Sequence, residues 1–186
     1  MEKFTIANEC VTLVCDTQKG DKTVVLLHGY LESLNVWDEL TDLIKREVRV
    51  IALDLPGHGV SEVVGEVHSM EFLADVVADV MRGQEVERAT IVGHSMGGYV
   101  AMAMLERHPE MVEGIVMLHS TPYADSDEKK ANREREIKLI KSGKKDTLAA
   151  LTPAQGFASD NAKYFRSDIE GLAEQIYLTD DDGICA

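Results

Sequence analysis

The amino-acid sequence is poor in cysteine, proline and aromatic residues, and these shortages exclude several classes of protein. Three cysteines among 186 residues cannot build a disulfide framework, and none of them has the Cys-x-x-Cys spacing of a metal site. No apolar run approaches the roughly 18 residues that cross a bilayer, and the N-terminus lacks the basic and apolar regions of a signal peptide. These absences predict a cytoplasmic protein with reduced thiols and no membrane partner.

Basic residues are also scarce. The chain has 19 Lys and Arg against 33 Asp and Glu, which gives a formal net charge of −14. Because nucleic-acid binding depends mainly on Lys and Arg that neutralise phosphates, we expect no nucleic-acid partner. Hydrophobic residues make up 45% of the chain, which is too much for a disordered protein, and the length of 186 residues fits one packed domain or one domain with a small appendage.

Hydrophobic periodicity alternates between strands and helices up to about residue 120. Four short apolar runs are typical of buried strands in a mainly parallel sheet, at residues 23–27, 48–53, 89–92 and 114–118. Apolar residues at helical spacing separate these runs, over residues 34–44, 69–81 and 96–107. With a further strand or hairpin at residues 4–15, this order predicts a doubly wound α/β sheet with right-handed crossovers.

The pattern changes after residue 120. Between Asp125 and Lys145, 13 of 21 residues are charged, which indicates a solvated helix with a narrow buried edge. A second amphipathic helix is predicted near residues 165–176, and residues 180–182 are interpreted as a helix end and solvated tail. We therefore expect an α/β core at residues 1–120 and a helical cap at residues 121–186.

A G-x-S-x-G motif, Gly93-His94-Ser95-Met96-Gly97, lies between a predicted strand and a predicted helix. A sharp turn at this point lifts the serine hydroxyl clear of the sheet, and the glycines let the neighbouring backbone pass closely. The N-terminus of the following helix also directs partial positive charge at the place where a reaction would develop negative charge. Ser95 is therefore the candidate nucleophile.

Two further motifs precede the serine motif in the chain: His28-Gly29-Tyr30 after a predicted strand, and an aspartate- and glycine-containing turn at residues 54–61. With the three motifs in this order, residues 20–120 resemble the α/β-hydrolase superfamily, in particular its cap-bearing esterase and lactonase-like branch. His28-Gly29-Tyr30 is similar to the family's His–Gly loop. The resemblance implies that the backbone N–H groups of Tyr30 and Met96 form an oxyanion hole. It also implies an α/β-hydrolase fold, with a mainly parallel sheet flanked by helices and a helical cap.

The turn at residues 54–61 is similar to the family's D-x-x-G-x-G-x-S turn, which shapes the structure without taking part in catalysis. Taken together, the resemblance implies a serine hydrolase that acts on a small-molecule ester, thioester or lactone. This chemistry requires neither a metal nor an organic cofactor, and no metal-ligand spacing suggests one. Carbon–carbon bond hydrolases and cofactor-free peroxidases share the same motif, so the motif does not distinguish them from esterases.

Most histidines are assigned supporting or neutral roles. We expect His28, with Gly29, to hold its loop by hydrogen bonds, and His94 to pack in the wall of a pocket. His58 lies in a turn and His68 and His108 lie at helix boundaries, so these three are expected to face solvent.

The resemblance implies a catalytic acid and then a histidine, on loops after the last two strands of the sheet. No histidine follows His119, and the last 66 residues contain no convincing pair of strands. Three interpretations remain open. The chain is a fragment that lacks the C-terminal strands, or His119 serves as a rearranged base, or the chain is a non-catalytic binding or interaction module. The isolated chain is expected to be weakly active or inactive, and an uncovered edge at residues 114–118 favours self-association.

Overall fold

The computed structural model describes all 186 residues and is built around one six-stranded sheet. The strands are β1 (Glu2–Ala7), β2 (Cys10–Asp16), β3 (Thr23–Leu27), β4 (Arg49–Leu53), β5 (Ala89–His94) and β6 (Val112–Leu118). They lie in the order β1-β2-β4-β3-β5-β6. The first two strands pair antiparallel, and β4, β3, β5 and β6 run parallel to one another.

The predicted strands are confirmed. The predicted run at residues 23–27 coincides with β3, and the other three runs fall on β4, β5 and β6. The N-terminal hairpin is present as well, and Asn8 and Glu9 join its strands with φ angles of +46° and +64°. Positive φ at both positions of a two-residue loop matches the twist of the paired strands, so the hairpin closes tightly without glycine.

The three helices predicted in the first part of the chain are also present, as α1 (Asp38–Ile44), α2 (Met70–Gly83) and α3 (Met96–Arg107). A single 3₁₀ turn precedes α1. The hydroxyl of Ser69 accepts a hydrogen bond from the Phe72 N–H and so caps α2. Helix α3 ends at Arg107, and His108 leaves the helical region because Pro109 follows it.

Alternate residues of the sheet face two different sets of helices. Val25 and Leu27 of β3 pack with the apolar faces of α2 and α3, whereas Leu26 packs on the opposite side with Leu34 and Trp37. Successive side chains of a strand point to opposite faces, so the continuous apolar run in β3 reflects burial on both sides. The mainly parallel sheet is therefore covered by helices on both faces, as predicted.

The last part of the chain is entirely helical apart from its loops. It contains α4 (Asp127–Lys141), α5 (Lys145–Gln155), α6 (Arg166–Leu178) and α7 (Asp181–Cys185). Helices α4 and α6 match the predicted ones, while α5 and α7 were not predicted. Their apolar residues form a small cluster of their own, which Leu31 joins from the loop after β3. No helix of the chain is both long and apolar enough to cross a membrane.

Residues 180–182 follow the end of α6 and are exposed, as expected, but they are not a free tail. Asp180 caps α7 through its side chain, which accepts a hydrogen bond of 2.8 Å from the Asp182 N–H. Gly183 then packs directly on the turn at residues 54–61, where an added Cβ would lie 2.1 Å from the Gly57 carbonyl oxygen. The cluster of acids at the end of the chain therefore starts a helix, because an aspartate is a good N-cap and the helix N-terminus favours negative charge.

The expected exposure of three histidines is wrong. His58 and His68 are buried, with exposed fractions of 5% and 7%, and His108 is half-buried. The His58 ring packs against the rings of His28 and Tyr30, at centroid distances of 5.3 and 6.2 Å. His68 is covered because its N–H donates to the Ala186 carbonyl at 2.8 Å, so the end of the chain lies over it.

Strand β6 forms one edge of the sheet. It pairs with β5 on one side only, and no other strand of the chain lies against its second side. Val116 and Leu118 on this strand are 43% and 36% exposed. The edge that the sequence placed at residues 114–118 is thus present and carries exposed apolar side chains.

Candidate active site

Ser95 lies at the junction between β5 and α3 in a rare backbone conformation, with φ +49° and ψ −112°. For a residue other than glycine such a conformation costs about 1–3 kcal/mol, so its surroundings must hold it in place. The Ser95 N–H donates to the Leu118 carbonyl at 2.9 Å. The Ser95 carbonyl accepts from the Ser120 hydroxyl at 2.7 Å and from the Gly98 N–H at 3.1 Å. These bonds fix the sharp strand-to-helix turn that the motif predicts.

The Ser95 side chain does not serve the helix that it precedes. Ser95 occupies the N-cap position of α3, where serine is a preferred residue, yet its side chain makes no capping hydrogen bond. The side chain is half-buried. The Ser95 hydroxyl is therefore not occupied by the amides of the first turn of α3.

The glycines on either side of Ser95 are required by close approach of the backbone. A Cβ added to Gly93 would lie 2.2 Å from the Gly97 carbonyl oxygen, and one added to Gly97 would lie 2.3 Å from the Leu27 carbonyl oxygen. Both distances are shorter than any real contact of a Cβ atom, and in each case the obstacle is backbone rather than a movable side chain. The motif thus packs the turn against the end of β3.

The His–Gly loop (residues 28–32) lies against this turn because β3 and β5 end side by side, with Leu27 paired to Gly93. A Cβ built on Gly29 would lie 3.1 Å from the Ser95 Cβ. The Tyr30 N–H donates to no acceptor within the chain. The Met96 N–H belongs to the first residue of α3 and therefore has no carbonyl partner inside its helix. The amides that follow Gly29 and Ser95 in the chain thus both lack an acceptor within the protein.

Sequence reasoning missed one residue of this region, Glu32. One oxygen of its carboxylate, Oε2, accepts a hydrogen bond of 2.6 Å from the Gly29 N–H and lies 2.8 Å from Nδ1 of His94. Burial opposes ionisation of Glu32, but the hydrogen bond and charge of His94 outweigh it and lower the pKa of the carboxyl. The hydrogen bond to Glu32 raises the pKa of His94 in turn. The one signal in the sequence was the place of Glu32 in the loop that follows β3, four residues after His28.

His28 is fully buried and both of its ring nitrogens are occupied. Nδ1 lies 2.8 Å from the Gly29 carbonyl, and Nε2 accepts a hydrogen bond of 2.9 Å from the Leu55 N–H. Because a carbonyl only accepts, Nδ1 carries the proton and the ring is neutral. Burial lowers the pKa of His28 to about 4. Its ring joins the His–Gly loop to the turn at residues 54–61 and does not reach outward as a base would.

His119 lies at the end of β6 with φ +46° and is exposed to solvent. Its ring stands edge-on to the His94 ring, at a centroid distance of 6.0 Å. It makes no hydrogen bond to Ser95, nor does any carboxylate of the chain orient it. The geometry that a serine–histidine pair requires, a direct hydrogen bond and a third group behind the base, is therefore not formed by His119.

The turn at residues 54–61 is held by Asp54, which is 2% exposed. Its carboxylate accepts hydrogen bonds from the Leu34 N–H at 2.8 Å and the Val60 N–H at 3.0 Å. Burial raises the pKa of Asp54 despite these bonds. With both oxygens directed at backbone amides, Asp54 fixes two loops against each other.

A cavity of about 370 Å³ opens beside the serine turn, and both Tyr30 and Met96 line it. Most of its lining is apolar, including Met70, Leu73 and Ile137. It lies between the core and the helical segment, since α4 and α7 contribute part of the wall. No three His, Cys, Asp or Glu side chains come together as ligands for a metal ion.

The fold and this corner of the sheet agree with a known family. Residues 22–141 match the alpha/beta hydrolase fold family. The chain belongs to this family.

Individual relatives support the same assignment. The chain is 31% identical over 151 residues to a serine hydrolase-like protein from Mus musculus, covering 75% of this chain and 49% of the relative. It is 33% identical over 107 residues to a pimeloyl-(acyl-carrier protein) methyl ester esterase from Nitrosomonas europaea, covering 58% of this chain and 40% of the relative. The chain thus spans about half the length, or less, of these two curated relatives. Both relatives are named as hydrolases or hydrolase-like, and hydrolysis is the activity supported at the level of the family.

Solved structures establish the fold over the full chain. A thermophilic esterase from Thermogutta terrifontis superposes with a TM-score of 0.92 at 24% identity, covering 100% of this chain and 70% of the esterase. An enol-lactonase from Burkholderia xenovorans LB400 gives a TM-score of 0.89 at 21% identity, covering 98% and 70%.

Proposed function

We propose that the protein is a serine hydrolase of carboxylic esters, thioesters or lactones, with Ser95 as its nucleophile. The observation that carries the proposal is the strained turn at Ser95, whose free hydroxyl is flanked by two unpaired amides. Strain of this kind is maintained at sites where a reactive group must be presented. The names of the relatives, which include a methyl ester esterase and an enol-lactonase, favour the same reaction.

In the proposed reaction, the Ser95 oxygen bonds to the carbonyl carbon of the substrate while a base takes the hydroxyl proton. The N–H groups of Tyr30 and Met96 donate to the oxyanion of the tetrahedral intermediate, which is the role that most strongly lowers the barrier in acyl transfer. The bond to the leaving alcohol or thiol then breaks, and that group receives the proton. Water attacks the acyl-enzyme in the second half of the reaction, releases the acid and restores the Ser95 hydroxyl.

The base and its orienting acid come, in this proposal, from outside these 186 residues. None of the six histidines in the sequence is hydrogen-bonded to Ser95. His94, which precedes the serine, is paired with Glu32, and His119, which follows the Leu118 carbonyl that accepts from the Ser95 N–H, is exposed. The solved relatives extend well beyond the part that this chain matches. We further propose that residues 121–186 are the cap of the enzyme and that the apolar cavity beneath them receives the acyl group.

A fluorophosphonate probe tests the proposal, because it phosphonylates an activated serine. We expect slow labelling of the chain that a Ser95→Ala variant abolishes and a Ser142→Ala variant, on the exposed end of α4, does not. Added imidazole should accelerate the labelling of Ser95 by at least about tenfold, since it replaces a missing general base of the kind that contributes roughly 10²–10⁴ in rate. Labelling that is independent of Ser95 would contradict the proposal.

The second candidate is a non-catalytic binding module on the same fold, and it is favoured by the lack of a histidine bonded to Ser95. It predicts no labelling of Ser95 at any imidazole concentration. The open reading frame gives a separate test: codons after Ala186 that specify an acid and then a histidine would favour the hydrolase.

A further inference from the structure

Glu32 occupies a position that packing alone does not explain. Its side chain is only 18% exposed, and its lowered pKa favours the ionised carboxylate. Removing a carboxylate from water is costly unless hydrogen bonds replace the lost hydration. Two such hydrogen bonds are present, and both involve the same oxygen, Oε2, which accepts from the Gly29 N–H and contacts Nδ1 of His94. Gly29 belongs to the His–Gly loop and His94 to the serine turn, so the carboxylate joins the two loops that carry the unpaired amides.

The contacts around Gly29 show how closely the two loops meet. A Cβ built at this glycine would lie 2.9 Å from Glu32 Oε2, 3.0 Å from His94 Nδ1 and 3.1 Å from the Ser95 Cβ. The carboxylate, the imidazole and the serine therefore converge on one point of the backbone, one residue before Tyr30. A shift of the His–Gly loop at this point moves the Tyr30 amide relative to Ser95.

We propose that Glu32 is a positioning residue for acyl transfer at Ser95, whose carboxylate clamps the His–Gly loop to the serine turn and sets the spacing of the Tyr30 and Met96 amides. This inference rests on the proposed function. Glu32 touches neither the hydroxyl nor the cavity, so its effect passes through Gly29 and His94. A donor that is displaced by about 1 Å from a developing oxyanion can cost roughly 10²-fold in rate, which makes such a clamp consequential.

The chain offers a matched control for the clamp. Asp75 and His108 form a second carboxylate–imidazole pair, also at 2.8 Å, between α2 and the end of α3. Because α3 separates His108 from Ser95 by its full length, this pair cannot affect the amides beside the serine. The Asp75 carboxylate also pairs with Arg107, at 2.6 and 2.8 Å. Asp75→Asn therefore weakens a carboxylate–imidazole pair and an ion pair without touching the two loops, which makes it a stringent control for general stability.

The experiment measures fluorophosphonate labelling of Ser95 in the presence of imidazole, and separates the initial binding constant from the rate of bond formation. For Glu32→Ala we expect the rate of bond formation to fall by about 10–100-fold. The initial binding constant should change little, because the cavity is intact. Glu32→Gln should recover most of the loss, since a single amide oxygen can accept from both the Gly29 N–H and the His94 Nδ1–H. Asp75→Asn should label at the native rate.

The pairing itself is followed by the pH titration of the His94 Cε1 proton in NMR spectra. The charged and titratable groups that face His94 are Glu32, His28 and His119. Loss of the carboxylate in Glu32→Gln should lower the His94 midpoint, while the midpoint in Asp75→Asn should stay at its native value. This readout reports on the clamp even if a variant is too unstable for kinetics.

Each result bears on one claim. A native labelling rate in folded Glu32→Ala, or an unchanged His94 midpoint in Glu32→Gln, overturns the positioning role while leaving the nucleophile in place. A native chain that does not label at all overturns the proposed function, and the positioning role with it. An equal loss of rate in Asp75→Asn and Glu32→Ala would reduce the effect of Glu32 to general stability and would also overturn the inference.

Discussion

Histidine side chains in this protein differ in their proton affinity because their surroundings differ. Burial lowers the pKa of His28 to about 4 and that of His58 to about 3, since the lost hydration outweighs the attraction of Glu32 for the first ring and of Asp54 for the second, neither of which is hydrogen-bonded to the ring. His94 has such a partner in Glu32, and its pKa is raised. Under neutral conditions the loops beneath Tyr30 are therefore held by uncharged rings, whereas at the serine turn the carboxylate of Glu32 favours the protonated form of His94.

The buried histidines predict a loss of stability in weak acid. The unfolded chain binds a proton at each of these rings near pH 6.5, whereas the folded chain does not until far lower pH. Stability is therefore complete above pH 6.5 and falls as pH decreases below it, by about 1.4 kcal/mol per pH unit for each ring. The free energy of unfolding, measured with urea between pH 7 and pH 5, should depend on pH less steeply in His58→Gln than in the native chain, by about 1.4 kcal/mol per pH unit. An identical slope in the two proteins would contradict this assignment.

Prediction from the sequence worked best for residues whose role is set by their immediate neighbours. The conformation of Ser95 follows from the glycines around it and from its place between strand and helix, all within five residues. Glu32 contacts a histidine 62 positions away, and the rings of His28 and Tyr30 pack against His58 from a loop about 30 positions earlier in the chain. Such contacts depend on which loops the sheet brings together, and no local pattern reveals them.

The same distinction holds for elements of secondary structure. The central strands were recognised because strands buried on both faces are continuously apolar, and α2 because its apolar stripe and N-cap are both clear. Helix α5 was missed because Pro153 lies inside it, where proline removes a backbone hydrogen bond and normally ends a helix. Helix α7 has only five residues and is held by its contact with the turn at residues 54–61 and not by helix propensity.

That contact makes Gly183 the most sensitive position of α7. In Gly183→Ala the new methyl group would meet the Gly57 carbonyl, so α7 must move away from the turn and from the cavity that it helps to line. We expect a loss of about 1–3 kcal/mol in the free energy of unfolding, and faster amide hydrogen exchange in α7. Urea unfolding measures the free energy, and hydrogen exchange followed by mass spectrometry measures the protection of the α7 amides.

Gly171 provides the matched control, because it lies in α6 and has no atom within 4 Å of an added Cβ. Gly171→Ala should stabilise the chain by about 0.5–1 kcal/mol, as expected for an unobstructed helical site. If Gly183→Ala also stabilised the chain, α7 would not be packed against residue 57.

At the scale of the whole molecule, both edges of the sheet lack a neighbouring strand on their outer side. The β1 edge carries exposed Phe4 and Ile6, and the β6 edge, next to the serine turn, carries exposed Val116 and Leu118. Proteins usually cover or charge such an edge, because its free amides and carbonyls can pair with another chain. The net charge of −14 opposes this pairing, since two copies repel each other at low ionic strength.

These opposing terms predict self-association that increases with salt. Added salt screens the repulsion between copies, with a Debye length of about 3 Å at 1 M against about 10 Å at 0.1 M, and leaves the apolar edge unchanged. Light scattering should therefore show a larger average mass at 1 M than at 0.1 M salt. Val116→Lys, which places a charge on the β6 edge, should suppress the association, while Val67→Lys, at an exposed loop position, should not. A chain that stays monomeric at high concentration in 1 M salt would show that the β6 edge is protected without a second copy, and equal suppression by both lysines would contradict association through the β6 edge.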